Sequence, residues 1–142
     1  MFVWLNGAFG AGKTTTAAEL VTLIPDSRLF DPETVGYMLT PNRADREEIT
    51  TALRGGGLDV FHVLLDVQEQ VLRDRIEASQ EAVEWRLEHV AEYQAARPWL
   101  LDAADLVVDT TELPPADAAQ SVARSLGRAQ AGTQISASGR LT

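Results

Sequence analysis

Residues 7–14 constrain the fold most strongly, because they place three glycines between an apolar run and a helical segment. The preceding run, residues 2–5, has the length and β-rich content of a strand buried on both faces. The following segment, residues 14–23, has apolar side chains at helical spacing. Such a turn aims backbone N–H groups and the positive end of the helix at one point. We therefore predict an anion-binding turn.

The spacing of this turn fits G-x-x-x-x-G-K-[ST], the phosphate-binding P-loop. Its residues are Gly7, Ala8, Phe9, Gly10, Ala11, Gly12, Lys13 and Thr14. Glycines let the backbone approach phosphate oxygens, Lys13 supplies charge for the β- and γ-phosphates, and the Thr14 hydroxyl is placed to ligate Mg²⁺. Thr15 either meets the α-phosphate or caps the helix. The alternative to phosphate binding is a glycine-rich turn with a solvated lysine.

Lys13 is the single lysine among the 12 basic residues of the chain. In a composition so biased toward arginine, a position that keeps lysine needs a compact ammonium group rather than the planar guanidinium of arginine. Since an N-K-x-D sequence would require a second lysine, the usual guanine-specifying motif is absent. The composition therefore speaks against GTP as the ligand.

The composition excludes several classes of protein. The 142 residues contain no cysteine and carry a formal net charge of -9. These counts argue against a disulfide scaffold, a thiolate zinc site and general affinity for nucleic acid. The chain has no apolar run of 18 residues and no basic segment at its N-terminus, so we expect neither a membrane span nor a signal peptide. We predict a cytoplasmic protein and leave its oligomeric state open.

The remaining segments alternate between the two-residue periodicity of strands and the 3.6-residue periodicity of helices. Strands are predicted at residues 28–31, 59–66 and 104–109, and helices at residues 31–39, 43–54, 68–77, 82–96 and 114–126, with a turn beginning at Pro98. This alternation predicts an α/β fold with a parallel sheet and helices on both faces. We assign residues 1–126 to one domain and residues 127–142, rich in Gly, Ser, Ala and Thr, to a tail.

Three blocks carry a family resemblance: residues 4–14, residues 31–37 with Asp-Pro-Glu and Gly-Tyr, and residues 106–111. Together they resemble the P-loop kinase superfamily, and within it the tunicamycin-resistance ATP-binding proteins. The resemblance implies a three-layer α/β/α fold with strand order 2-3-1-4-5, ATP and Mg²⁺ as cofactors, and a small-molecule acceptor. It implies a kinase-like phosphotransferase. The open alternatives are an ATP-binding protein that sequesters a drug and a regulatory NTPase.

The resemblance also assigns roles to single residues. Asp31 would accept the proton of the acceptor hydroxyl or hold Mg²⁺ through water, or else cap the next helix. Arg75 corresponds to the arginine at the base of the lid, and Arg86 to one that closes on the γ-phosphate; each is alternatively a solvated helix charge. Asp109 and Thr110 lie where related kinases contact adenine, or else cap the turn after the last strand.

The chain departs from this pattern in two places. No third strand is evident, because residues 40–57 are polar and helical, so a gap should lie beside the first strand. The lid between residues 76 and 82 is also short. We hypothesise that two segments of the family pattern are missing from the chain, one near residues 40–46 and one near 77–82.

The histidines and large aromatic residues receive simpler interpretations. His62 lies in a predicted buried strand and is expected in the core, and His89 is expected to face solvent. Trp85, Tyr93 and Trp99 are interpreted as packing of the last helices, with lining of an acceptor site as the alternative.

Overall fold

A computed structural model describes residues 1–30 and 43–138, which form five helices and a three-stranded parallel sheet. The strands are β1 (Phe2–Gly7), β2 (Val60–Asp66) and β3 (Leu106–Asp109). The helices are α1 (Lys13–Leu23), α2 (Arg43–Gly55), α3 (Glu69–Ser79), α4 (Val83–Ala103) and α5 (Pro115–Ser138). The strand order is β1-β2-β3, with Gly7 opposite Leu65 and Asp66 opposite Asp109. The predicted α/β class and parallel sheet are therefore confirmed.

The central strand β2 is buried on both faces. Its residues His62, Val63, Leu64 and Leu65 are 2% exposed or less. Because successive side chains of a strand point to opposite faces, this run shows that packing covers both sides of the sheet. The interpretation of His62 as a core histidine is confirmed.

The prediction of a strand at residues 28–31 was wrong for residues 28–30, which lie outside any strand and are exposed. Asp31 lies outside the described residues, as does the helix predicted at 31–39. Residues 28–30 pair with no described strand, and three residues on their own cannot hold extended structure. Within the described part of the chain, β1 therefore pairs with β2 alone.

A large cavity occupies the other side of β1, where sequence analysis predicts a gap. It has a volume of about 960 Å³ and is lined by every residue of β1 and by none of β2. One end reaches Lys13 and Thr14, and the other reaches Leu29 and Phe30. We call this space the edge cavity. It brings the outer edge of the sheet and the Gly7–Thr14 turn into one continuous opening.

Two helices extend beyond their predicted ends. The turn predicted at Pro98 is wrong, because α4 continues through this residue to Ala103. Burial of Tyr93, Ala96 and Leu100 on one face of α4 offsets the loss of one backbone hydrogen bond at proline. The end predicted for α5 near residue 126 is also wrong, because this helix continues across the assigned start of the tail to Ser138.

None of the helices within 1–30 and 43–138 combines the length and apolar character that a membrane span requires.

Candidate functional site

The turn between β1 and α1, residues 7–14, is called the glycine turn below. At Gly7 a Cβ atom would lie 2.6 Å from the carbonyl oxygen of Leu65, so only glycine allows this approach of β1 to β2. Gly12 has φ +88° in the left-handed region and is the N-cap of α1. The local geometry thus explains why these two positions carry glycine.

The first turn of α1 itself carries no side chain that offsets the positive end of the helix. Gly12 makes no side-chain capping hydrogen bond, and the first turn contains no acidic residue. Thr14 and Thr15 are exposed there. A helix start with exposed hydroxyls and no carboxylate is electrostatically suited to an anion.

Lys13 lies across the glycine turn. Its Nζ atom donates hydrogen bonds of 2.9 Å to the carbonyl oxygens of Gly7 and Ala8, and it lies 5.5 Å from the centroid of the Phe9 ring. A phosphate group entering the turn would offer the ammonium charged acceptors in place of these two carbonyl oxygens. The side chain is therefore positioned for an anion held by the turn.

A second cavity of about 390 Å³ lies beside the glycine turn. We call it the loop cavity; it is lined by Gly10, Ala11, Gly12, Thr16, Arg75 and residues 110–115. The structure brings the predicted site residues Arg75 and Thr110 together with the turn at this cavity. Thr16 is 1% exposed, and its Oγ1 has no hydrogen-bond partner among residues 1–30 and 43–138. The loop cavity thus contains a buried hydroxyl with unused hydrogen-bonding capacity.

Arg75 and Thr110 connect three elements around the loop cavity. Nη2 of Arg75 donates to the carbonyl oxygens of Thr110 at 2.7 Å and Thr111 at 2.9 Å. Oγ1 of Thr110 lies 3.3 Å from the carbonyl oxygen of Ala11 and 3.1 Å from that of Asp66, and its one proton is available to either acceptor. These contacts hold α3 and the loop after β3 against the glycine turn.

Asp109 has a different position from Thr110. It does not line the loop cavity, and its Oδ1 accepts a 2.9 Å hydrogen bond from the backbone N–H of Thr111. Hydrogen bonds from the side chain and backbone of Thr111 lower the pKa of Asp109. Its contacts match the alternative interpretation, a cap of the turn after the last strand.

Arg86 lies at the start of α4. Its Nη2 donates to Oε2 of Glu81 at 2.8 Å, and its Nη1 donates to the hydroxyl of Ser79 at 3.3 Å. Its hydrogen bonds are thus with the connection before α4, and it lines neither cavity. Asp31, the acid that the resemblance assigns to catalysis and metal binding, lies outside the described residues.

Two aromatic side chains of α4 pack on the glycine turn. The ring centroid of Phe9 is 4.9 Å from that of Trp85 and 5.9 Å from that of His89, and the last two are 4.0 Å apart. His89, expected to face solvent, is partly covered by these rings and keeps 22% of its side chain exposed. The spacing of Trp85 and His89 places them on one helix face, but their contact with Phe9 depends on tertiary packing.

A second group missed by sequence reasoning surrounds Asp66 at the end of β2. Nε and Nη2 of Arg97 donate to the two carboxylate oxygens at 2.9 and 2.7 Å, and the hydroxyl of Tyr93 donates to Oδ1 at 2.9 Å. Burial alone would raise the pKa of Asp66, but the hydrogen bonds from Arg97 and Tyr93 lower it. This network attaches α4 to the sheet beside the glycine turn.

The described residues contain no group of three His, Asp or Glu side chains able to hold a metal ion. A magnesium ion bound with a nucleotide needs only one or two protein ligands, because phosphates and water complete its coordination. The exposed hydroxyl of Thr14 fits such a partial ligand set. Asp31, the other proposed ligand, cannot be placed.

Comparison with known proteins found no match for this chain among protein-family models or among curated proteins.

Proposed function

We propose that this chain is a kinase-like phosphotransferase of the P-loop NTPase fold, which binds ATP with Mg²⁺ and phosphorylates a hydroxyl group of a small molecule. The observation that carries the proposal is the position of the glycine turn, with Lys13 across it, between two cavities. A phosphoryl-transfer enzyme needs a nucleotide on one side of its phosphate site and an acceptor on the other.

The loop cavity is suited to the adenine and ribose. The Arg75 guanidinium lines it, and a planar cation stacks well on an aromatic ring. The triphosphate would then follow the glycine turn, with Thr15 at the α-phosphate, Lys13 at the β- and γ-phosphates, and Thr14 at Mg²⁺. Mg²⁺ would supply charge neutralisation between the β- and γ-phosphates.

The edge cavity is suited to the acceptor. It reaches Lys13 and Thr14, so a hydroxyl group bound there would face the terminal phosphate. The net charge of -9 would repel anionic acceptors and favours a neutral hydroxyl compound. Among neutral compounds, an antibiotic of the tunicamycin type is the acceptor that the family resemblance implies.

Arg86 would need to move to reach the γ-phosphate. The connection between α3 and α4 contains two non-glycine residues with left-handed backbone, Gln80 at φ 54° and Ala82 at φ 48°. Such residues cost free energy that a change of backbone conformation releases. We propose that nucleotide binding moves this connection, separates Arg86 from Glu81 and directs the guanidinium toward the phosphate.

A second candidate is an ATP-binding protein that sequesters its ligand without phosphoryl transfer. The observation that favours it is the short connection between α3 and α4, residues 80–82, which gives little chain to exclude water from a reacting phosphate.

One experiment separates these functions. ADP formation is measured with MgATP alone and with added uridine, N-acetylglucosamine or tunicamycin. MgATP affinity is measured by calorimetry. Lys13→Ala gives the background rate of ADP formation. Acceptor-dependent turnover supports the kinase, and tight ATP binding without turnover supports sequestration. Hydrolysis independent of acceptor would indicate a regulatory NTPase. Absence of MgATP binding would overturn the proposal.

A further inference from the structure

We propose that His89 is the catalytic base that accepts the proton of the acceptor hydroxyl. This inference rests on the proposed function and gives His89 the role for which the resemblance offers Asp31, which leaves Asp31 its alternative roles at Mg²⁺ or as a helix cap. His89 lines the edge cavity together with Lys13 and Thr14. The acceptor and the proposed base therefore share one space.

Phe9 fixes the position of His89 relative to the phosphate site. The Phe9 ring centroid lies 5.5 Å from Nζ of Lys13 and 5.9 Å from the centroid of the His89 ring. The Trp85 ring packs against the imidazole at an interplanar angle of 39°, with ring centroids 4.0 Å apart. These aromatic contacts restrict the rotamer of His89 and hold the ring beside the proposed acceptor position.

The contacts of the two ring nitrogens suit proton transfer. Nδ1 lies 2.7 Å from the carbonyl oxygen of Trp85, an acceptor that selects the tautomer with the proton on Nδ1. Nε2 then carries a lone pair. Oε2 of Glu92 lies 3.9 Å from Nε2, so its carboxylate would stabilise the imidazolium formed when Nε2 takes a proton.

The other described candidates are less suitable as the base. The carboxylate of Asp66 already accepts hydrogen bonds from Arg97 and Tyr93 and does not line the edge cavity. His62 is 2% exposed inside the sheet. Glu92 and Asp26 also line the cavity, but the Glu92 side chain is 59% exposed, and Asp26 follows the end of the 11-residue helix α1 that is remote from the glycine turn.

The proposed step transfers the γ-phosphoryl group of ATP to the acceptor hydroxyl. The acceptor hydroxyl oxygen forms a bond to the γ-phosphorus of ATP while the bond from that phosphorus to the β–γ bridging oxygen breaks, and ADP departs with the bonding electrons. The hydroxyl proton moves to Nε2 of His89. The imidazolium then releases this proton to solvent, to which the 22% exposed side chain has access.

The first test compares His89→Ala with wild type, using whichever of uridine, N-acetylglucosamine and tunicamycin gives the highest rate of ADP formation. We expect kcat to fall about 100-fold, the KM for MgATP to stay within about twofold, and added imidazole to restore at least about a tenth of the rate. Glu88→Ala, an exposed neighbour on α4 outside the edge cavity, is the control and should keep the wild-type kcat.

The outcomes separate the two proposals. Wild-type turnover no faster than Lys13→Ala with every acceptor would overturn the proposed function, and the role of His89 with it. Wild-type turnover matched by His89→Ala within about threefold would overturn the role of His89 alone. A loss that imidazole does not reverse would assign His89 to structure and also overturn the proposal.

A second measurement avoids substitution. Diethylpyrocarbonate should modify His89 and spare the buried His62, so inactivation should follow modification of one histidine, and hydroxylamine should reverse it. Full turnover after modification of His89 would overturn the proposal even if His89→Ala failed to fold.

Discussion

Nη2 of Arg75 lies 2.7 Å from the carbonyl oxygen of Thr110, which joins the middle of α3 to the loop after β3 beside the glycine turn. A guanidinium that donates to a backbone carbonyl keeps its planar face available for another group. The two residues therefore form a wall of the loop cavity before any ligand binds, and the wall lies next to Gly10, Ala11 and Gly12.

Arg75→Ala should weaken ATP binding about tenfold and leave the affinity for inorganic triphosphate unchanged, because the substitution removes the surface for the base but not the phosphate site. Arg73→Ala is a matched control, since Arg73 is on the same helix and pairs with Glu69 at the surface. Calorimetric titration with both ligands checks this prediction. Equal losses for ATP and triphosphate would contradict the assignment of the loop cavity to the nucleobase.

Lys13→Ala should weaken MgATP binding about 10- to 100-fold, because it removes a charge-assisted contact to the phosphates. Lys13→Arg should also bind weakly, since a planar fork does not replace a compact ammonium group. The far-ultraviolet circular dichroism of both variants should match that of wild type. Unchanged MgATP affinity in Lys13→Ala would refute the phosphate assignment.

Gly7→Ala should destabilise the protein by about 2 kcal/mol or more, because its Cβ would lie 2.6 Å from the carbonyl oxygen of Leu65 and its φ of 154° suits glycine. Gly127→Ala is a control for which we expect the opposite effect on stability. A Cβ there meets nothing within 4 Å inside α5, so this change should stabilise the protein by about 0.5–1 kcal/mol. Urea unfolding measures both values, and equal effects of the two substitutions would contradict this account of the turn.

His62 should make stability depend on pH. Burial lowers the pKa of His62 below its ordinary value of 6.5, although a contact with the carbonyl oxygen of Ala103 opposes this shift. Below about pH 6.5 the unfolded chain therefore binds more protons at this residue than the folded chain, and stability falls as the pH falls. In His62→Gln the decline between pH 7 and pH 5 should be shallower. Urea unfolding at these pH values measures the free energy of unfolding of both proteins. An equal decline in wild type and His62→Gln would contradict this expectation.

The sequence alone was sufficient for features that depend on residues close together in the chain. Glycine spacing and the single lysine identify the turn between residues 7 and 14, and the two periodicities identify β1, β2, β3 and most helix starts. These features are readable because backbone conformation and periodicity are local properties.

Tertiary structure decided which distant residues meet at this turn and how far the helices extend. Arg75 and Thr110 meet at a contact between α3 and the loop after β3, and Phe9 meets His89 only because α4 packs over the turn. Likewise, α4 continues through Pro98 because its buried face packs against the core. These features depend on the packing free energy among residues far apart in the chain, which a local sequence pattern does not predict.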